Sequence, residues 1–500
     1  MDARMVTSFL PPVAFLLPIL AAVIIVPATA RHERLRRIGL TLVCVATVAV
    51  AVWFVPGVLD GVVYETHVIQ VTPAIWMYLR VDAMGALFGL TAAILWLLAL
   101  VYSFGYMDGG KRLGRYYAFL VLALGWTMGI AYAGNLLTFL IFYELFSILT
   151  YPLIVHEETP EAMAAGTKYI VYILIGGSLV LLAIVSTYFL AGDQTLTPEG
   201  LLTMEMGRTQ LIAVFWCFIA GFGVKAALAP LYGWVPDAHP AAPAPFSAVL
   251  SGVMVAAGTF GIMRVFYNVF GVDLVRELGQ APYLAGVAAF TVLFAAILAV
   301  NQDNLKRRLA YSTISQMAYA ALGVALLGQQ AATGSLVHIT NHAFMKGALF
   351  LCAGLFIKRA GARRVSELDG IGRVMPITSA AFALVALSMI GTPPLSGFVS
   401  KWYLGLGMLD MDEPLYLVVL LGGALLAAVY LLPIVYAAYF KPAGAAALAL
   451  ADRTGREAPW VMLVPLIAAA ALTVLLGLAA SVDGMPLSLA RLAAQIAFGQ

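Results

Sequence analysis

Charge is what this chain has least of: only 11% of its 500 residues are Asp, Glu, Lys or Arg. No polar stretch is long enough to fold as a soluble domain of its own. Cysteine is nearly missing too, with Cys44, Cys217 and Cys352 scattered in apolar runs and no CxxC spacing. That pattern excludes a disulfide framework, a thiolate zinc site and an iron–sulfur cluster. Neither a Walker loop nor a GxGxxG fingerprint occurs, so no nucleotide bound to this chain supplies energy. No cofactor, metal or redox centre is expected, and no nucleic-acid partner.

What remains is hydrophobic. AVILMFWYC residues make up 63% of the chain, and the mean hydropathy is +0.96. At roughly 20 residues per crossing, the apolar runs give about fourteen transmembrane helices in an all-α polytopic membrane protein. The first seven are expected near Phe9–Val26, Ile38–Pro56, Asp82–Tyr106, Tyr116–Ala133, Asn135–Ile154, Ala165–Ala191 and Thr209–Pro230. The rest are expected near Phe246–Phe270, Ala281–Val300, Ala310–Leu327, Ser335–Ile357, Ile377–Leu404, Tyr416–Phe440 and Trp460–Ser481. A polar loop is expected before the third. Ala28-Thr29-Ala30 looks like a signal-peptidase site, but Arg31, Arg34, Arg36 and Arg37 follow it and belong in the cytoplasm. The first helix is therefore expected to be retained.

Alternate loops differ in basic residues. One set holds Arg31, Arg34, Arg36, Arg37, Lys111, Arg112, Arg115, Lys306, Arg307, Arg308, Lys358, Arg359, Arg363, Arg364, Arg373, Lys441, Arg453 and Arg456. The other holds only Arg4, Arg80, Arg208, Arg276 and Arg491. The positive-inside rule then puts both termini outside.

The run Gly221–Gly261 organises the rest. It carries Lys225 inside an apolar helix that stops at Pro230, Pro236, Pro240, Pro243 and Pro245. An ammonium at membrane depth costs about 2.5–3.5 kcal/mol or more, so it needs a partner, water or a task. Broken backbone at that depth is tolerated only inside protein or beside a hydrated cavity. Lys401 follows a second break at Pro393 and Pro394, and two interrupted helices in corresponding halves point to an inverted-repeat transporter. The layout divides into residues 1–115, two repeats of about five helices each at 116–270 and 281–440, and 441–500 with the last crossing and a short tail.

Glu144 is the one carboxylate well inside a helix. With buried lysines it suggests an ion pair whose proton affinities are mutually tuned, the plainer reading being a pair that fixes helix register. His338, His342 and Lys346 recur every four residues and share one helix face. Zinc accepts histidines at that spacing, but the ammonium repels a cation, so a proton-relay face is the better reading. Lys168 and Arg264 lie near helix ends, where snorkelling accounts for them.

Five segments, NLLTFLIFYELFSI, KAALAPLYGWVPDAHPAAPAPFSAVLSG, QDNLKRRLAYSTISQMAY, HAFMKGALFLCAG and GTPPLSGFVSKWYL, resemble the antiporter-like, proton-conducting membrane subunits. That superfamily includes the large subunits of Mrp-type cation/proton antiporters, respiratory complex I and membrane-bound hydrogenases. The resemblance covers roughly 116–440. It implies a hydrated polar axis at the midplane, Glu144 paired with Lys225, and Lys401 ending the axis. Length and the stretch HEETPEAM (156–163) look most like the D-type subunit of Mrp antiporters. One departure stands out: where the family reads SGxxxKxGxYG, this chain has Ala256 and Phe260. Water, Ser251 or His342 would then bridge the axis, or conduction is impaired. The short Val482–Gln500 tail lacks the lateral helix of the largest complex I subunit.

The expected function is proton translocation through Glu144, Lys225, His338, His342, Lys346 and Lys401 within a multisubunit Mrp-type antiporter. It would sit in a prokaryotic cytoplasmic membrane, among other membrane subunits and lipid, with protons and sodium as the candidate ions. The alternatives are a pump subunit of a complex I or hydrogenase assembly, and a scaffold that has lost conduction.

Overall fold

The computed structural model describes residues 4–72, 75–451 and 457–499; Arg453 and Arg456 of the orientation argument lie outside them. The chain is an all-α polytopic membrane protein. In order, β1 (Arg4–Thr7), α1 (Leu10–Ala28), α2 (Glu33–Leu59), β2 (Val62–Thr72) and β3 (Ile75–Val81) precede α3 (Ala83–Tyr106). Then come α4 (Leu113–Ala131), α5 (Leu136–Ile154), α6 (Pro160–Ala191), α7 (Arg208–Ala226), α8 (Val235–Ala241) and α9 (Ala244–Val269). After α10 (Val272–Leu278) follow α11 (Ala281–Val300), α12 (Leu305–Ala325), α13 (Gln329–Ala360), α14 (Pro376–Ile390), α15 (Ser396–Asp410) and α16 (Pro414–Phe440). Helices α17 (Ala445–Ala451), α18 (Trp460–Leu478) and α19 (Pro486–Ala497) finish the described chain.

Among the described residues, 11 helices are long and apolar enough to cross a membrane. Helices α12 and α13 are long but more polar, and α14 and α15 are the halves of one interrupted helix. The runs α4–α9 and α11–α16 repeat one order of elements: two helices, a helix of 32 residues, a broken helix, and a last long helix.

The predicted polar loop before α3 is a three-stranded sheet instead. β1 pairs in parallel with β2, and β2 in antiparallel with β3, from Tyr64 opposite Val81. Within it Val63, Tyr64, Leu79 and Val81 are buried. The sheet covers the turn between α4 and α5: Arg80 N–H donates to Tyr132 O, and Asn135 Nδ2 to Trp76 O.

Two breaks position the site. After α7, Ala227 is left-handed at φ 58°, Leu228 N–H returns to Gly223 O, and Ala229 N–H finds Thr291 Oγ1 at 3.1 Å. Trp234 Nε1 caps the Val224 carbonyl at 2.8 Å. Between α14 and α15, Gly397 N–H reaches Ser388 Oγ, and Asn341 Nδ2 donates to Ser396 O at 2.7 Å. Side chains thus satisfy the backbone groups that interruption frees, as a low-dielectric interior requires.

Candidate functional site

Lys225 ends α7 and is buried. Its ammonium donates to Ser147 Oγ at 2.5 Å and Tyr143 O at 3.3 Å, both on α5. It stands 3.4 Å from the Tyr143 ring centroid. A desolvated cation over an aromatic face gains about 2 kcal/mol, so α5 supplies a hydroxyl, a carbonyl and a π face to one amine. Ser147 is held in turn: its hydroxyl donates to Tyr143 O, and its carbonyl accepts from Tyr169.

Glu144 does not touch that amine. No ion pair joins the two within 4.0 Å among the described residues, although Glu144 lies in electrostatic reach of Lys225. Its carboxylate rests on α6, where a Cβ at Gly177 would collide with Oε1. Oε1 is buried without a hydrogen-bond partner. The direct pair that the family resemblance implies is therefore replaced by a carboxylate that acts on the amine through the field, without contact.

On α13, His338, His342 and Lys346 do share a face, and all three are fully buried. The His338 and His342 rings lie 6.0 Å apart. Nε2 of His338 donates to Gln316 O at 3.1 Å, which leaves Nδ1 to accept from Ser400 at 2.9 Å in the neutral ring. Both His342 nitrogens lack a partner. Lys346 donates to Ser312 Oγ at 2.5 Å and Leu309 O at 3.1 Å on α12. Ser312 passes the contact on to the Tyr430 hydroxyl at 2.8 Å.

Lys401 closes the row. It sits on α15, and its ammonium donates to Met389 O at 2.7 Å and Ile390 O at 2.8 Å. Those carbonyls are the unpaired C-terminal groups of α14, the negative end of a half-helix. Gly391, at φ 103°, makes room: a Cβ there would lie 2.9 Å from Lys401 Cδ. Ser400, next to Lys401, is also the partner of His338, so α15 ties the histidine face to the final lysine.

Sequence reasoning passes over His239 and Lys306. His239, on α8, is fully buried, stacks on Phe350 at 4.7 Å, and both its nitrogens lack a partner. Lys306 was expected in a loop, but Asn304 caps α12 just before it, and the buried amine donates to Ala242 O. Lys306 and Ala242 line a cavity of 790 Å³ together with Lys168, Asp237, Arg307 and Arg363. Lys168 does not simply snorkel; it pairs with Asp237 at 2.8 Å, which Arg307 meets from the other side. Nor does Arg264 snorkel: it is buried, with Asp82 Oδ2 at 2.5 Å and Oδ1 at 2.9 Å. An unpaired charge there would be costly, and Asp82, capping α3, removes that cost.

Fold and site together define a polytopic membrane protein with a buried lysine on each of two broken helices and a buried face of two histidines and a lysine on a third. Comparison with known proteins gives that class its family. The family model for "NADH:quinone oxidoreductase/Mrp antiporter, TM" matches residues 133–427, and the chain belongs to that family. The N subunit of the NADH-quinone oxidoreductase of Desulforudis audaxviator is 32% identical over 94% of this chain and 96% of its own length. The D subunit of the Na(+)/H(+) antiporter of Alkalihalophilus pseudofirmus is 26% identical over 90% of each chain. Among solved structures, a chain of the Mrp complex from Dietzia superposes with a TM-score of 0.86 at 24% identity, covering 98% of this chain and 97% of that one. That likeness is one of fold.

Proposed function

We propose that this chain moves protons through the membrane along the row Lys225, Lys346, His342, His338 and Lys401, with Glu144 setting the charge balance at one end. The observation that carries this reading is Lys346. It is a fully buried amine whose contacts among the described residues are one carbonyl and one hydroxyl, with no carboxylate among them. An amine so placed has no counter-charge to fix its proton, and ionisable groups in membrane interiors are functional by default.

In this reading the chain crosses the membrane about fourteen times, the α12 and α13 helices and the α14–α15 pair adding to the apolar spans. Both termini face outward, and the repeats 116–270 and 281–440 are inverted relative to one another. The 790 Å³ cavity then opens on the inner, basic side and gives protons access toward His239. A proton arriving near Lys225 changes its interaction with Glu144, and the altered field shifts the histidine face and then Lys401, which releases outward or to a neighbouring subunit. Side chains pass protons, and no covalent intermediate is needed.

The complex we propose is a Mrp-type cation/proton antiporter in a prokaryotic cytoplasmic membrane, with other membrane subunits as partners and sodium as the exchanged cation. The likeness of 156–163 to the D-type subunit and the end-to-end match with a Na(+)/H(+) antiporter protein of that type support it. A redox-driven complex is the second reading, favoured by the 32% identity to an oxidoreductase N subunit over nearly the whole chain.

The test uses everted membrane vesicles holding the assembled complex. Proton movement driven by added sodium, and lost in Lys225→Ala at equal subunit level, supports antiport. Movement driven only by an electron donor supports the second reading. Unchanged movement in Lys225→Ala contradicts both.

A further inference from the structure

Helix α9 packs both on α7, which carries Lys225, and on α13, which carries Lys346. At Gly258 it packs so closely on α7 that a Cβ would lie 2.8 Å from the Lys225 carbonyl carbon. Two turns earlier, at Gly252, it packs on α13, where a Cβ would lie 3.0 Å from Ala343 O, one turn from Lys346. Yet α9 carries no ionisable side chain between these contacts, and the whole span is buried. Its polar groups there are the hydroxyls of Ser251 and Thr259. Thr259 has no partner. Ser251 Oγ lies 2.6 Å from Thr313 Oγ1 on α12, and both residues are fully buried.

Thr313 in turn donates to Leu309 O at 3.0 Å, the same carbonyl that Lys346 binds at 3.1 Å. One backbone oxygen therefore gathers the hydroxyl pair and the amine. Ser251 lies in the π-helical turn Leu250–Met254 of α9, and such bulges recur at functional sites.

We infer that the Ser251–Thr313 hydroxyl pair is the proton crossing between the Lys225 and Lys346 halves of the row, a neutral relay in place of a charged bridge. The inference rests on the proton-transport reading above. A hydroxyl both accepts and donates. A proton reaching Ser251 Oγ from the Lys225 half releases that oxygen's own proton to Thr313 Oγ1, and the Thr313 hydroxyl, swinging off the Leu309 carbonyl, releases its own proton to the neutral Lys346 amine held at that same carbonyl. Each oxygen loses one O–H bond and gains another, so both end neutral and the proton finishes on Lys346. Rotation of the two hydroxyls resets the pair. No third charge is stored between the lysines.

Proton flux in everted vesicles with the assembled complex, at equal subunit levels, tests this. Thr313→Val keeps the shape and removes the hydroxyl, and it should lower flux by roughly a hundredfold or more, within the range of positioned proton-transfer groups. Thr313→Ser keeps the hydroxyl, loses the methyl, and should restore flux. The reverse order would make Thr313 a packing residue and overturn the relay. If Thr313→Val fails to assemble, Ser251→Ala decides, since it deletes one oxygen and should show the same loss. Lys401→Ala in parallel separates the two levels. Loss of flux in Lys401→Ala beside wild-type flux in both Ser251→Ala and Thr313→Val leaves proton transport standing and sinks the relay. Wild-type flux in Lys401→Ala removes the transport reading and the relay with it.

Discussion

Each buried lysine solves the same problem with a different partner. Lys225 takes a hydroxyl, a carbonyl and an aromatic face; Lys346 a hydroxyl and a carbonyl; Lys401 two carbonyls at a helix end. A carboxylate would hold a proton on its amine partner, whereas these acceptors solvate the ammonium and still allow the neutral amine. Glu144, lacking a direct contact with Lys225, fits this pattern. Glu144→Gln is therefore expected to leave the complex assembled, because no buried ion pair is broken, while transport is lost. Subunit levels and vesicle proton movement, measured together, check it; loss of assembly would mean that Glu144 fixes helix register. The spacing of His338, His342 and Lys346 was legible because four-residue periodicity survives any tertiary arrangement. Ser147, Ser312 and Ser400 were not, since a hydroxyl becomes a partner only when another helix brings it an amine or an imidazole. The same holds for Asp82 and Arg264, which meet across 182 positions of sequence.

At the scale of elements, glycines set where the charged groups can lie. Gly177 leaves the notch that Glu144 fills, and Gly391 leaves the space against which Lys401 lies. Gly177→Ala should push the carboxylate aside, a cheap movement for a flexible side-chain end. The expected outcome is reduced transport with normal assembly, read by the same vesicle assay beside a thermal melt of the purified complex. Gly391→Ala differs, because its φ of 103° suits glycine alone. Forcing an alanine there costs about 1–3 kcal/mol, so both the melting temperature and transport should fall. The two breaks were readable from their prolines. The lengths of α12 and α13 were not, because Lys306, Arg307 and Arg308 look like a loop until Asn304 is seen to cap the helix they begin. The sheet was missed because Glu65, Thr66, His67 and Gln70 give β2 a loop-like polar composition, and its burial follows no simple alternation for a sequence pattern to show.

Across the whole molecule, the basic residues predict which face is cytoplasmic. Arg363 is exposed on the basic side, and Asp273 is exposed on the opposite set of loops. Arg363→Cys should react with an impermeant maleimide only from the inside, and Asp273→Cys only from the outside. The opposite accessibility would invert the topology and place the 790 Å³ cavity on the outer face. The apolar runs made the polytopic class plain, and the order of motifs made the family plain. What drives the ions was not legible, because driving force is a property of neighbouring chains rather than of this one.

The central claim is that protons pass through the buried row, and Lys346 is its middle lysine. Proton movement should be measured in everted vesicles with wild-type and Lys346→Ala complexes at equal subunit levels. The account predicts that Lys346→Ala assembles normally, since no ion pair depends on it, and that proton movement falls to the level of vesicles without the complex. Wild-type movement in Lys346→Ala would contradict the account, because the protons would then be travelling elsewhere.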